Sequence, residues 1–512
     1  MVVMVVERRL AQARRLARAP LRWETTVPVG TAADKVVAVV LAVAAPVAAG
    51  AMAPVEAAKA ATATCSTAAA LCRTSSGLGR RHTDTRFDLL MKAPAWGEPA
   101  PVKRYILSVW ACERTERSMV RFSFSTAGES HGPAEVALVH GVPAGLGLVA
   151  DDVNRDLARR QKGYGRGGRQ KIERDEIEFL GGVRHGYTLG SPVGMLIRNQ
   201  DYANWEDRMS PAPTEETVKP VTLPRPGHAD LAGMQKYAFD DLRNVLERSS
   251  ARETTARVSA GGVARKLLAE FGVEIHSAVY RIGAAAYDKE SAARDARRAD
   301  ESEVRCPDPD ASERMKAEID AARYARDALG GEFVVVAEGC PPGLGSYVDW
   351  RDKLDAKLAA AVMSINAIKG VEIGLGFGVA SRRSSEVQDE IVPENGHLTR
   401  TSNNLGGIEG GMTNGEPVVV AAAMKPISTI AKALRTVDLS TGEPARAFRE
   451  RADSCAVPAA AVIGESMVAI VLAETFLEKF GADNMTDIRA AHHAYASRVR
   501  DSSRGAARRA RL

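Results

Sequence analysis

Six short segments of the chain gather the side chains that do chemistry. Gly128-Glu129-Ser130-His131-Gly132 sets a serine and a histidine between glycines, and Arg225-Pro226-Gly227-His228-Ala229-Asp230 puts an arginine and a histidine on a tight turn. Arg159, Arg160, Arg166 and Arg169 fall within eleven residues around the run Gly163-Tyr164-Gly165-Arg166-Gly167-Gly168. Glu247-Arg248-Ser249-Ser250-Ala251-Arg252-Glu253-Thr254-Thr255-Ala256-Arg257 packs hydroxyls and three arginines at a helix boundary. Gly406–Gly411 with Asn414-Gly415, and then Lys425-Pro426-Ile427-Ser428-Thr429, suit a phosphate or a flat ring, and Arg451-Ala452-Asp453-Ser454-Cys455 sets an arginine two residues from a carboxylate. Guanidinium forks pair bidentately with carboxylate or phosphate, and N–H groups at a helix start favour anions. Together the segments suit a multiply charged anion, with His131 and His228 able to move a proton near neutral pH.

Each segment also has a plainer explanation. The arginine loop can be a solvated basic surface, the hydroxyl-rich stretch can be a surface helix cap, and a lone histidine is more often part of a hydrogen-bonded core. His140, His185, His276, His397, His492 and His493 lie outside these segments and are read as structural. Gly128 to Gly132 also fits G-x-S-x-G, which makes a serine hydrolase using Ser130 the alternative reading. That fold needs strands before its elbow, and the preceding 118 residues show no strand period. The run from Gly163 formally fits a dinucleotide fingerprint but follows a polar helical segment instead of a hydrophobic strand.

The elements that must carry these residues follow from periodicity. Apolar spacing predicts helices over Asp152–Gln161, Asp240–Leu246, Gly262–Phe271, Trp350–Ile368 and Glu465–Phe480. Strand-like runs are Phe333–Glu338, Val371–Phe377 and Val418–Met424. Two of the helices run into the same Gly-Val-Glu-Ile string, at Gly272–Ile275 and Gly370–Ile373, a weak hint of a repeated α-then-β unit. Asp288–Asp327 reads as a solvated, charged helical excursion, and the Arg-rich tail 497–512 as disordered.

Composition bounds the rest. The 512 residues are 45% hydrophobic and 5% aromatic, an ordinary α/β or α+β globule. Residues 1–118 hold 17 basic against 9 acidic residues, which leaves 52 against 55 for the body. A near-neutral body removes the first support for nucleic-acid binding. Cys65, Cys72, Cys112, Cys306, Cys340 and Cys455 form no CxxC pair, so neither a zinc site nor a disulfide framework is expected, and buried, inert thiols are. Residues 1–118 are rich in Ala and Arg and broken by seven prolines, and read as an over-long start before Met119 or a targeting segment. The apolar stretch Val36–Ala53 carries Pro46 and Gly50 and supports a membrane anchor poorly.

In this order the motifs resemble chorismate synthase, from Gly-Glu-Ser-His-Gly through Arg-Pro-Gly-His-Ala-Asp and Arg-Ser-Ser-Ala-Arg-Glu-Thr to Arg-Ala-Asp-Ser-Cys-Ala-Val-Pro, over about Val120 to Phe480. The resemblance implies an α+β fold, a β-α-β sandwich with antiparallel sheets around a helical layer, in a catalytic domain over 119–496. It implies a lyase that makes chorismate and phosphate from 5-enolpyruvylshikimate 3-phosphate by anti-1,4-elimination in aromatic amino-acid biosynthesis. Reduced FMN is required, with NADPH or an external flavin reductase as the source of electrons. By position, Ser130, Arg160, Arg166, Arg169, Arg225, Ser250, Arg252 and Arg451 would hold the substrate, and His131, His228 and Asp453 would act in catalysis. Arg248, Ser249, Ser250, Asn366, Ala367, Gly410, Lys425, Pro426, Ile427, Ser428, Thr429 and Arg451 would hold FMN. A homotetramer is implied, cytoplasmic, or in a plastid or other organelle if 1–118 is a transit segment. Neither nucleic acid nor membrane is an implied partner.

Overall fold

The structure, a computed structural model, describes residues 122–168, 172–214, 218–394, 397–448 and 453–509. The expectations for residues 1–118, Arg169 and Arg451 lie outside the described residues.

Four strands, Ser123–Ala127 (β1), Ala134–His140 (β2), Ile177–Gly181 (β3) and Val193–Arg198 (β4), form an antiparallel sheet in the order β1-β2-β4-β3. Side chains alternate faces along a strand, so one register decides what is buried. Ala137 lies opposite Met195 and Val139 opposite Val193, and all four are buried. Glu135 occupies the same inward row, opposite Ile197.

A second antiparallel sheet runs β7-β8-β6-β5, from Glu274–Ile282 (β5), Gly331–Glu338 (β6), Ile368–Ile373 (β7) and Val418–Met424 (β8), with Ala285–Ala286 at its edge. Central strand β6 is apolar without alternation because both its faces are covered. Phe333, Val335 and Ala337 join the main core, while Val334 and Val336 pack with Ala292, Ala296 and Ala299. That second cluster corrects the reading of Asp288–Asp327. Most of its charges are outward, but Arg305 is buried, Ala292, Ala296 and Ala299 roof the outer face of the sheet, and Met315 and Ile319 of Pro309–Tyr324 join the main core.

Between the sheets lie Ala150–Gln161 (α1), Thr254–Ala269 (α2), Leu354–Met363 (α3) and Val457–Phe480 (α4). Helix α2 packs on β2, α4 packs on β5 and β6, and α2 and α4 pack on each other, giving the sheet–helix–sheet order of an α+β sandwich. A Cβ on Gly261 would sit 2.6 Å from the Cα of Ser466, so glycine sets how closely α2 and α4 approach. Helix α4 is long and apolar enough to cross a membrane, yet 94% of its most apolar window is buried inside the protein, which makes it a core helix.

Several boundaries differ from the periodicity. Helix α2 begins at Thr254, because Ser250 accepts the Arg252 N–H and starts a single turn that leads into it. Helix α4 begins at Val457 with Pro458 in its first turn, where no N–H is needed. The helix expected over Trp350–Ile368 is a turn at Trp350–Asp352 followed by α3, and β7 starts at Ile368. Both Gly-Val-Glu-Ile strings do feed strands, β5 and β7. The last helix, Met485–Arg509, continues past residue 496 into the tail expected to be disordered, since its arginines are compatible with a solvated helix.

Candidate active site

Gly128, at φ +120, turns β1 back into β2, and a Cβ there would lie 2.4 Å from the Ala134 carbonyl oxygen. The turn presents Ser130 and His131 at the sheet edge. It joins two antiparallel strands and not a strand to a helix, so the nucleophile-elbow geometry of the hydrolase alternative is absent. Ser130 N–H donates to the Glu247 carbonyl at 3.1 Å, tying this turn to the hydroxyl-rich segment.

The His131 ring is held on two sides. Its Nδ1 lies 2.7 Å from Glu247 Oε2, its main-chain N–H donates to the same oxygen at 3.2 Å, and Trp205 stacks on it at 4.0 Å. Glu247 Oε1 accepts from Arg243 at 2.8 Å. Burial would raise the Glu247 carboxyl, but the hydrogen bond and charge of His131, with Arg243, hold it below the ordinary glutamate value.

Neighbouring arginines of α1 point to different places because successive helical residues are about 100° apart. Arg159 turns into a buried ion cluster on Glu465, with Arg265, Arg305 and Ser277. Three guanidiniums hold Glu465 far below its usual range despite the cost of burial. Arg160 turns the other way, to Asp175 at 3.1 Å and the Thr254 hydroxyl at 3.0 Å. Arg252 reaches the other Asp175 oxygen at 2.5 Å and Asn199 at 2.8 Å. Arg166 meets Asp453 at 2.6 Å. On the opposite wall Arg225 pairs with Asp230 at 2.8 Å and donates to Thr429 at 3.0 Å, and His228 Nδ1 sits 2.5 Å from Asp230. Burial opposes ionisation of Asp230, but His228 and Arg225 outweigh it and hold the group well below the carboxylate range. Lys425 and the Ser428 hydroxyl both donate to the Gly227 carbonyl, at 3.0 and 2.9 Å.

These groups surround one cavity of about 610 Å³. Its wall carries six arginines and Lys425 against four carboxylates, so an anion entering finds a net positive surface. Arg166 Nε is buried without a hydrogen-bond partner, a donor that an anion in the cavity can satisfy.

The chorismate synthase family model matches residues 122–477. The chain is 79% identical over 380 residues to a chorismate synthase of Rubrobacter xylanophilus, covering 74% of this chain and 98% of that protein. The chain belongs to the chorismate synthase family. It is also 56% identical over 387 residues to the Desulforudis audaxviator chorismate synthase, covering 75% and 99% of the two chains. A crystal structure of a chorismate synthase superposes with a TM-score of 0.60 at 42% identity, over 75% of this chain and 99% of that one. As a chorismate synthase the chain is a lyase of the shikimate pathway, acting on a small molecule.

Most residues read from the motifs converge. Ser130, His131, Arg160, Arg166, Arg225, His228, Arg252 and Asp453 line the cavity, and so do Arg248, Ser249, Ser250, Asn366, Ala367, Lys425, Ile427, Ser428 and Thr429. Asn366 donates to the Ser249 carbonyl, and Ala367 holds φ at 68, a conformation costly for a residue with a Cβ and kept here by the Lys425 N–H bond to its carbonyl. Pro426 sits between two lining residues without lining the cavity itself. Gly410 is not brought to it, because the Ile408–Thr413 hairpin packs against the start of α3 through the Leu354 N–H to Gly411 bond. Trp205, Glu173 and Asp175 are site groups that motif reading passed over, and Arg257, the third arginine of the hydroxyl-rich segment, also lines the cavity. Cys306, Cys340 and Cys455 are buried, and burial pushes the Cys340 thiol up to about 12, in keeping with inert cysteines.

Glu135 stands behind the Ser130 turn with both carboxyl oxygens buried and unpartnered. Burial pushes it up to about 7 against the pull of Arg252 and Arg248. The folded protein therefore holds this proton more tightly than the unfolded chain. Its stabilising effect is complete below about pH 4.5 and is lost as pH rises through about 7. Glu135→Gln should remove that loss, leaving the variant roughly 2.5 kcal/mol more stable than the parent above pH 7.5 relative to pH 5. Urea unfolding midpoints at the two pH values check this, and an unchanged pH dependence would refute it.

Proposed function

We propose that the cavity takes 5-enolpyruvylshikimate 3-phosphate and eliminates its phosphate and a ring hydrogen in an anti-1,4 sense to give chorismate, with reduced FMN bound beside it. The observation that carries this reading is the meeting, in one cavity, of seven cationic side chains and two histidines that each rest on a buried carboxylate. A substrate with two carboxylates and a phosphate, beside a flavin phosphate, needs many fixed cations. The unpartnered Arg166 Nε and the polar wall of Ser249, Asn366, Lys425 and Ser428 fit such groups.

Reduced FMN, when bound, would supply electron density to weaken the C–O bond in a reaction that is redox-neutral overall. Arg160, Arg166, Arg225 and Arg252, with Ser130 and Ser250, hold the substrate's anionic groups and stabilise phosphate as it departs. Arg169 and Arg451 belong to the same set by motif. His131 Nε2 gives a proton to the leaving phosphate. His228, fixed by Asp230, governs protonation beside the flavin. Asp453, aligned by Arg166 and the Gly167 N–H, takes part in proton movement there. NADPH or a separate flavin reductase would keep the flavin reduced, and the working form is a cytoplasmic homotetramer.

Anaerobic turnover of 5-enolpyruvylshikimate 3-phosphate with chemically reduced FMN tests the reading. Phosphate and chorismate should form in equal amounts, and neither should form with oxidised FMN. No product from folded protein that binds FMN would defeat it, as would labelling of Ser130 by a fluorophosphonate.

A further inference from the structure

Glu247 is a buried carboxylate in the cavity wall that grips the His131 side chain and its main chain together. A carboxylate only accepts hydrogen bonds, so at 2.7 Å from Glu247 Oε2 the Nδ1 of His131 must carry the hydrogen. That assignment frees Nε2, which has no hydrogen-bond partner among the described residues, for the cavity that His131 lines. Both Glu247 oxygens are committed. Oε2 accepts from the His131 ring and main chain, and Oε1 accepts from Arg243. Trp205 fixes the ring plane, with the Arg243 and Arg208 guanidiniums 5.1 and 4.8 Å from its own ring. Arg248 and Arg252 are the other charges close to the Ser130–His131 turn, and Glu129 and Glu135 are its acids.

We propose that Glu247 is the positioning residue for His131: it fixes the Nδ1–H tautomer and aims Nε2–H at the leaving phosphate. The inference rests on the role given to His131 above. The chemistry asked of the pair is one proton. The Nε2 proton passes to a phosphate oxygen, the C–O electron pair leaves with the phosphate, and the ring remains neutral with Nδ1–H still on Glu247. The negative charge of Glu247 eases the return of a proton from water for the next cycle.

Glu247→Gln distinguishes positioning from simple support. An amide presents one acceptor and one donor where the site holds donors on both sides. With Arg243 taking the carbonyl oxygen, the amide N–H₂ faces Nδ1, which disfavours the charged ring and reverses the tautomer. The expected result is a kcat lowered on the order of 100-fold, a KM within about threefold, and an alkaline limb of kcat moved about one unit to lower pH. The titration midpoint of the His131 ring proton resonance, assigned by its absence in His131→Ala, should fall by the same amount without substrate or flavin. Glu247→Asp keeps the charge and should keep the parent's pH limb even where kcat drops through lost reach. Should Glu247→Gln fail to fold, the Asp variant's ring titration decides: a midpoint lowered as far as loss of the charge would lower it overturns the proposal. A folded Glu247→Gln with the parent's pH limb and ring titration, beside an inactive His131→Ala, overturns the positioning role alone. A fully active His131→Ala overturns the acid assignment and this inference with it.

Discussion

His131→Ala should lower kcat for chorismate formation on the order of 10²–10⁴-fold while leaving substrate affinity within a few-fold. The arginines proposed to hold the substrate stay in place in this variant, since none of them hydrogen-bonds to His131 among the described residues. What goes is the proton. Without it the phosphate must leave carrying its full charge, and the fixed cations compensate for only part of that. Removing the ring also empties the space beside Trp205, so His131→Asn is the companion variant: it refills the space, can still hydrogen-bond to Glu247, and has no titrating nitrogen. Both variants should be similarly slow in single-turnover phosphate release with reduced FMN. Turnover above a tenth of the parent's in either one would remove His131 from the proton step.

The site was legible in the sequence where its chemistry is local. Arg225, His228 and Asp230 are within six residues of one another and meet directly, at 2.5 to 3.1 Å. Ser250, Arg252 and Thr254 share one turn, so their motif could be seen without the fold. Asp175 and Trp205 could not. Asp175 follows the arginine loop in a polar stretch with no motif, and only folding brings it between Arg160 and Arg252. Trp205 reaches His131 across the first sheet's connection, and a lone tryptophan in sequence says nothing of what it stacks on.

The fold shows the same division. Strand β8 was located to the residue because its apolar run ends in Lys-Pro. Helix α2 was not, since two β-branched threonines and the Gly261–Gly262 pair are weak helix formers that here serve a cap and a close helix contact. The charged stretch from Asp288 misled for a related reason. Its alanines carry little hydrophobic signal, yet they fit the flat outer face of β6.

Asp175→Ala should cost about 3–5 kcal/mol of stability, the usual consequence of leaving buried charge without its partner. Asp175 is itself buried, and its two oxygens take one guanidinium each, Arg160 at 3.1 Å and Arg252 at 2.5 Å. Burial pushes Arg160 down to about 10, with Arg166 and Arg252 repelling it and Asp175 opposing them, so it stays charged at neutral pH in the parent. In the variant two adjacent cations face each other at the cavity wall. Glu173 remains 3.5 Å from Arg252, and Asp453 still acts on Arg160, but neither takes the place of Asp175 between the two guanidiniums. An anion in the cavity then becomes the missing counter-charge. Inorganic phosphate should therefore raise the variant's unfolding midpoint more than the parent's, by up to about 2.7 kcal/mol at a concentration 100 times its dissociation constant. Simple damage to packing would lower stability without that response, and a loss under about 1 kcal/mol would mean that Asp175 does not organise the arginines at all. If the phosphate response does appear, the parent's pairs are provisional: each arginine keeps a carboxylate near it until a substrate anion takes up the charge, and the cavity is set for its ligand before the ligand arrives.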